Sequence, residues 1–130
     1  MKVLGIIPAR RGSKGITNKN AKLLGDKPLL QYSAESALLA KSISKTILST
    51  DSEKNAEIGK RCGLEVPFLR PDNLAQDTTP TLSVILHAIE YLEKQHEYFD
   101  AICLLQPTSP FREASDIDKC IRLLKQSKAD

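Results

Sequence analysis

Lys2-Val3-Leu4-Gly5-Ile6-Ile7-Pro8 is an apolar run that ends in proline and opens onto Ala9-Arg10-Arg11-Gly12-Ser13-Lys14-Gly15-Ile16-Thr17-Asn18-Lys19-Asn20. A short run rich in Ile, Val and Leu, closed by turn residues, reads as a strand buried on both faces. The segment after it carries two glycines flanking a Ser-Lys pair, and it begins a cluster of cations. Arg10, Arg11, Lys14, Lys19 and Lys22 fall within thirteen residues that contain no acid. Glycines let backbone amides approach an anion closely, so the loop suits a polyphosphate. Taken alone it reads equally well as a solvated basic turn. It lacks the Walker A spacing and the GxGxxG of dinucleotide sites.

Working outward, Thr46 to Ser49, Glu65 to Leu69 and Ala101 to Gln106 repeat the pattern of the first strand. Between them lie helical patterns. Pro28 to Lys41 repeats apolar residues at Leu30, Ala34, Ala37 and Leu38, and Thr81 to Gln95 does so at Leu82, Ile85, Leu86, Ile89 and Leu92. Ser115 to Lys128 places Ile117, Cys120, Ile121 and Leu124 at i, i+3, i+4 and i+7. Thr50 with Glu53 has the spacing of a capping box, and Thr79-Pro80 offers an N-cap followed by proline at the first helical position. The order βαβαβαβα predicts a parallel sheet whose ligands sit beyond the carboxyl ends of the strands. That rule selects Ala9 to Asn20, Thr50-Asp51, Arg70 to Thr81 and Gln106 to Arg112. The chain closes on a helix without the strand expected to follow, so the domain reads as unfinished.

At 130 residues, the chain fits one domain able to bury about two-thirds of its unfolded surface. Hydrophobic residues make up 41% and charged ones 27%, and no apolar run approaches the roughly 20 residues needed to span a bilayer. The N-terminus does not resemble a signal peptide, and we read a cytoplasmic protein. Cys62, Cys103 and Cys120 are odd in number and widely spaced, which argues for buried thiols rather than disulfides or a zinc site. Aromatics at 5%, without interleaving among the basic residues, argue against nucleic-acid binding.

The other loops add polar groups. Arg70 can make planar paired hydrogen bonds, and Thr79 and Thr81 carry hydroxyls at a helix start that can read a ribose or base edge. Gln106 offers a donor and an acceptor beside the first loop, stiffened by Pro107 and Pro110; taken alone, the turn reads better as a plain strand-to-helix connection. Asp51, at a strand's carboxyl end, can hold a metal or cap the following helix, and capping fits it better. His87 and His96 have no metal-ligand spacing and read as structural. Nothing supports a covalent hydrolytic mechanism.

Ile7-Pro8-Ala9-Arg10-Arg11-Gly12-Ser13-Lys14-Gly15 with Lys19-Asn20, then Ser49-Thr50-Asp51, Arg70-Pro71 and Leu105-Gln106-Pro107-Thr108-Ser109-Pro110-Phe111-Arg112, resemble the acylneuraminate cytidylyltransferases, the CMP-sialic acid synthetases. The resemblance implies a Rossmann-like nucleotide-diphospho-sugar transferase fold, three-layer α/β/α with a mainly parallel sheet, here without its C-terminal part. It implies transfer of CMP from CTP to a nonulosonic acid with release of pyrophosphate. Arg10, Ser13, Lys14 and Lys19 resemble the phosphate-loop residues, Arg10 and Lys19 in the catalytic role. Asn20, Arg70, Thr79, Thr81 and Gln106 resemble residues contacting the nucleotide or the neighbouring sugar, and Ala9 would contribute backbone contacts to the base.

The family's use of Mg²⁺ implies metal ligands beyond residue 130, along with much of the sugar pocket and a homodimerisation segment. Residues 1–130 are then expected to be the N-terminal nucleotide-binding portion of a single, truncated cytidylyltransferase domain. The other enzyme reading is a cytidylyltransferase for 3-deoxy-manno-octulosonate, which shares the Ile-Pro-Ala-Arg opening. The other class of reading is a non-catalytic nucleotide-binding fragment.

Overall fold

The structure is a computed structural model and describes residues 2–13, 16–17, 23–24 and 27–106. Its elements in chain order are β1 (Val3–Pro8), β2 (Gly12–Ser13), β3 (Ile16–Thr17), β4 (Leu23–Leu24), β5 (Lys27–Pro28), α1 (Leu29–Leu39), β6 (Lys45–Ser49), α2 (Glu53–Arg61), α3 (Thr81–Lys94) and β7 (Ala101–Leu104). The main sheet has the order β6-β1-β7. Both neighbours of β1 run parallel to it, from Leu4↔Lys45 to Pro8↔Ser49 on one side and from Val3↔Ala101 to Ile6↔Leu104 on the other.

Successive side chains of a strand point to opposite faces, and β1 uses both. Val3, Ile7 and Ala9 join Leu48 in packing on Leu30, Ala34 and Ala37 of α1 and Ile58 of α2. Leu4 and Ile6 join Ile47 on the other face, against Ala88 and Leu92 of α3. The layers are therefore helix, sheet, helix, as expected. Leu4, Ile6 and Ile7 are each fully buried, and such side chains contribute about 1.5–3 kcal/mol apiece.

α2 meets β6 through a glycine. A Cβ at Gly59 would lie 2.6 Å from Leu48 Cδ2, so any side chain there would force Leu48 to shift. The helix ends in a Schellman motif: Gly63 adopts φ +94°, its amide donates to Lys60 O at 3.1 Å, and Leu64 N donates to Gly59 O at 2.9 Å.

Several local expectations are corrected. Glu65 to Leu69 is not a strand: it makes one parallel bridge, Ile47↔Glu65, and no ladder. Pro67 has no amide hydrogen to donate, so pairing breaks off after Leu48 N donates to Glu65 O at 2.9 Å. The cap of α2 is Ser52, whose side chain accepts from Asn55 N, while Thr50 Oγ1 accepts from Ser52 N at 3.1 Å; the Thr50/Glu53 capping box does not form. Pro80 rather than Thr79 occupies the N-cap of α3, one residue later than predicted. Cys62 and Cys103 are half-buried rather than fully buried. The helix predicted over Ser115 to Lys128, with Cys120, lies outside the described residues.

Candidate active site

Parallel strands bring their carboxyl ends to one edge, and the described parts of the selected segments lie there. β1 continues for one residue beyond its last paired position, because Ala9 N donates to Ser49 O at 2.9 Å. Leu105 N likewise donates to Ile6 O at 2.9 Å. Gln106, half-buried, then stands two residues beyond the Ile6↔Leu104 pair, level with Pro8. The basic segment leaves β1 between these neighbours, with Gly12–Ser13 pairing antiparallel to Ile16–Thr17. Ser13 is placed by this short ladder. Lys14, Lys19 and Asn20 lie outside the described residues.

The turn between β6 and α2 holds the start of that segment. Asn55, fully buried on α2, donates from Nδ2 to Ala9 O at 3.1 Å. Arg11 N donates to Asp51 Oδ1 at 2.7 Å. Both backbone groups of Ala9 are therefore bonded within the protein, which makes this residue an anchor of the loop. Asp51 caps no helix; its carboxylate engages the loop instead.

Arg10 forms an ion pair with Asp77, which belongs to the polar connection before α3. The contact spans the edge of the sheet from the first loop to the third. Thr79 is half-buried, and its Oγ1 accepts from Gln76 N at 3.0 Å, closing a turn rather than capping α3. Thr81 is exposed at the first position of α3.

Arg70 is the residue whose place differs most from expectation. It is 5% exposed and turns inward. Nε donates to Ser49 Oγ at 3.1 Å, Nη2 to Ser49 O at 2.7 Å and Nη1 to Leu74 O at 3.0 Å. The guanidinium thus ties the third loop to the end of β6, and these donors face the protein rather than a nucleotide. Burial pulls it below its ordinary value, Asp51 opposes this and Arg10 adds to it; an arginine remains charged regardless. His87, on α3, meets the ring of Phe68 edge-on at 4.6 Å between centroids. Burial lowers its pKa, Arg70 adds to the effect and Glu90 opposes it. Its ring packs within the fold against Phe68.

Among the described residues, no group of three or more His, Cys, Asp and Glu side chains could hold a metal ion. Asp51 is engaged with an amide and Asp77 with a guanidinium. Among them, no helix is long and apolar enough to cross a membrane.

A cytidylyltransferase family profile matches residues 4–130. The chain belongs to the cytidylyltransferase family. Within that family it is 36% identical over 125 residues to the CMP-N,N'-diacetyllegionaminic acid synthase of Legionella pneumophila, covering 96% of this chain and 54% of that protein. It is 43% identical over 122 residues to the N-acylneuraminate cytidylyltransferase of Escherichia coli, covering 94% of this chain and 28% of that protein. The chain thus spans about half the length of the first of these relatives and less of the second. Among solved structures, a CMP:2-keto-3-deoxy-manno-octonic acid synthetase complexed with CTP superposes with a TM-score of 0.82 at 19% identity, covering 99% of this chain and 49% of that one. This likeness bears out the cytidylyltransferase fold, and the sequence relatives bear out the resemblance to acylneuraminate cytidylyltransferases.

Sequence reasoning missed Asn55, Asp77 and the true partner of Asp51. Asn55 left one trace: it lies on the inward face of α2 with Ala56, Ile58 and Gly59, where an amide needs a reason to be buried. Asp77 left none, because an acid in an acidic, hydroxyl-rich loop is unremarkable.

Proposed function

We propose that this chain is the nucleotide-binding portion of an enzyme that transfers CMP from CTP to a nonulosonic acid of the sialic type and releases pyrophosphate. One observation carries the reading: relatives named for making CMP-legionaminic acid or for N-acylneuraminate cytidylyl transfer match 94–96% of this chain at 36–43% identity. The basic segment at the carboxyl edge of the sheet agrees with it.

In this reaction the anomeric hydroxyl of the sugar acid attacks the α-phosphorus, the bond to the β-phosphate oxygen breaks and the hydroxyl proton is released. Charge grows on the departing pyrophosphate. Arg10, and Lys19 with Lys14 by resemblance, neutralise that charge, while Ser13 belongs to the same phosphate loop. Gln106, Thr79, Thr81 and Asn20 are assigned to the nucleoside and sugar. Catalysis is then positioning plus electrostatic stabilisation, with no covalent enzyme intermediate. Arg70 supports these groups from behind, where sequence reasoning had it contact the nucleotide. Magnesium belongs to the proposal with ligands outside the described residues, and no step here is routed through it. On this reading the enzyme works in the cytoplasm, in carbohydrate biosynthesis, as a homodimer without nucleic-acid or membrane partners.

Equilibrium binding of CTP, UTP, ATP and GTP tests the nucleotide assignment: CTP is expected to bind best, and a purine preference defeats it. Pyrophosphate release from CTP and Mg²⁺ with a panel of nonulosonic acids tests the reaction. Binding without turnover by any of them supports the non-catalytic reading instead.

A further inference from the structure

Two hydrogen bonds grip the peptide groups on either side of Arg10. Asn55 Nδ2 donates to Ala9 O at 3.1 Å, and Arg11 N donates to Asp51 Oδ1 at 2.7 Å. The Ala9 carbonyl belongs to the peptide unit before the Arg10 α-carbon, and the Arg11 amide to the unit after it. Each unit is planar, so fixing the first constrains φ of Arg10 and fixing the second constrains ψ. The direction in which the Arg10 side chain leaves the backbone follows from both.

Both grips come from the turn after β6 and the first turn of α2, and that segment is itself braced. Ser49 O accepts from Ala9 N at 2.9 Å and from Arg70 Nη2 at 2.7 Å, and Ser52 Oγ accepts from Asn55 N at 3.1 Å. Asn55 is 0% exposed, yet its Oδ1 has no partner among the described residues. A buried acceptor without a partner costs stability that an apolar residue of the same size would avoid. What the amide supplies in return is its bond to Ala9.

We propose that Asp51 and Asn55 are positioning residues, which set the backbone of Arg10 so that its guanidinium meets the phosphates of the bound nucleotide. Neither touches the substrate. The inference rests on reading the basic loop as the CTP phosphate site. It separates cleanly from a charge effect, because a carboxylate near a phosphate site repels the ligand. By charge alone, removing Asp51 tightens CTP binding; by positioning, it weakens it.

The test measures CTP and cytidine affinities of the protein and its variants. Asp51→Ala and Asn55→Leu are expected to weaken CTP binding about tenfold, the scale of one lost hydrogen bond, and to leave cytidine binding unchanged. Asp51→Asn keeps an acceptor for the Arg11 amide and is expected to restore CTP binding. In an Arg10→Ala background, Asp51→Ala is expected to cost nothing further, because the two act on one contact. Tighter CTP binding in Asp51→Ala, equal losses for CTP and cytidine, or full additivity with Arg10→Ala would overturn the proposal. If the unaltered protein binds no CTP, the CTP reading fails separately, and hydrogen exchange at the Arg11 amide decides the grip. Faster exchange in Asp51→Ala with protection kept in Asp51→Asn supports it, and exchange unchanged in Asp51→Ala refutes it.

Discussion

The Arg70 guanidinium lies folded over the Ser49 carbonyl, with Nη2 2.7 Å from the oxygen. The same carbonyl accepts from Ala9 N, so one oxygen at the end of β6 joins the first loop and the third. A buried arginine with its fork matched to a carbonyl, a hydroxyl and a second carbonyl is not replaceable by a compact ammonium.

Arg70→Lys is therefore expected to lower stability by about 1.5–3 kcal/mol, the range for hydrogen bonds to a charged group. Chemical denaturation against the unaltered protein measures it. A variant within about 0.5 kcal/mol of the original would show that the bonds at Ser49 and Leu74 contribute little.

On the proposed phosphate role of Arg10, its ion pair with Asp77 competes with the nucleotide. The pair is partly exposed, with side chains 27% and 63% accessible, so its net contribution is small. Asp77→Asn is expected to tighten CTP binding about two- to fivefold at low ionic strength, with the gain shrinking as salt is added. Titrations at two salt concentrations check this, and weaker binding in the variant would assign Asp77 a supporting role instead.

Gly59→Ala runs against helix propensity. In an exposed helix this change gains about 1 kcal/mol, but here the new methyl would lie 2.6 Å from Leu48 Cδ2, and Leu48 is fully buried. A net loss of up to about 2 kcal/mol is expected, since overpacked cores lose about 1–3 kcal/mol and the helix gain offsets about 1 of it. Thermal unfolding reads the sign directly.

His87 makes the fold sensitive to acid. Its pKa in the fold lies below the ordinary 6.5, because burial disfavours the imidazolium. The unfolded chain therefore binds the proton more readily than the folded one. Stability from this group is complete above pH 6.5 and is lost as pH falls from there through the lower folded value. The unaltered protein is expected to lose more stability between about pH 7 and pH 5 than His87→Phe does, with carboxylates contributing equally to both. Parallel slopes would remove His87 from the pH response.

The alternation of apolar runs with helical stripes was sufficient to place β1, β6 and β7 in a parallel sheet and the basic segment at its carboxyl edge. Burial periodicity and turn residues are local properties, and they survive in one dimension. The start of helix α2 was signalled only by cap residues, and its cap moved from Thr50 to Ser52 because two hydroxyls stand near the helix start and only backbone geometry chooses between them. Pro67 could have demoted the predicted third strand, since a missing amide hydrogen is written in the residue type.

The basic character of Arg10 to Asn20 and its place after the first strand were determined by the sequence alone. What that segment rests on was decided by the tertiary structure. Ala9 meets Asn55 across 46 positions, Arg11 meets Asp51 across 40, and Arg10 meets Asp77 across 67. No periodicity or propensity encodes such pairs. They form because parallel strands deliver distant turns to one edge, where buried polar groups must find partners among whatever the fold brings within reach.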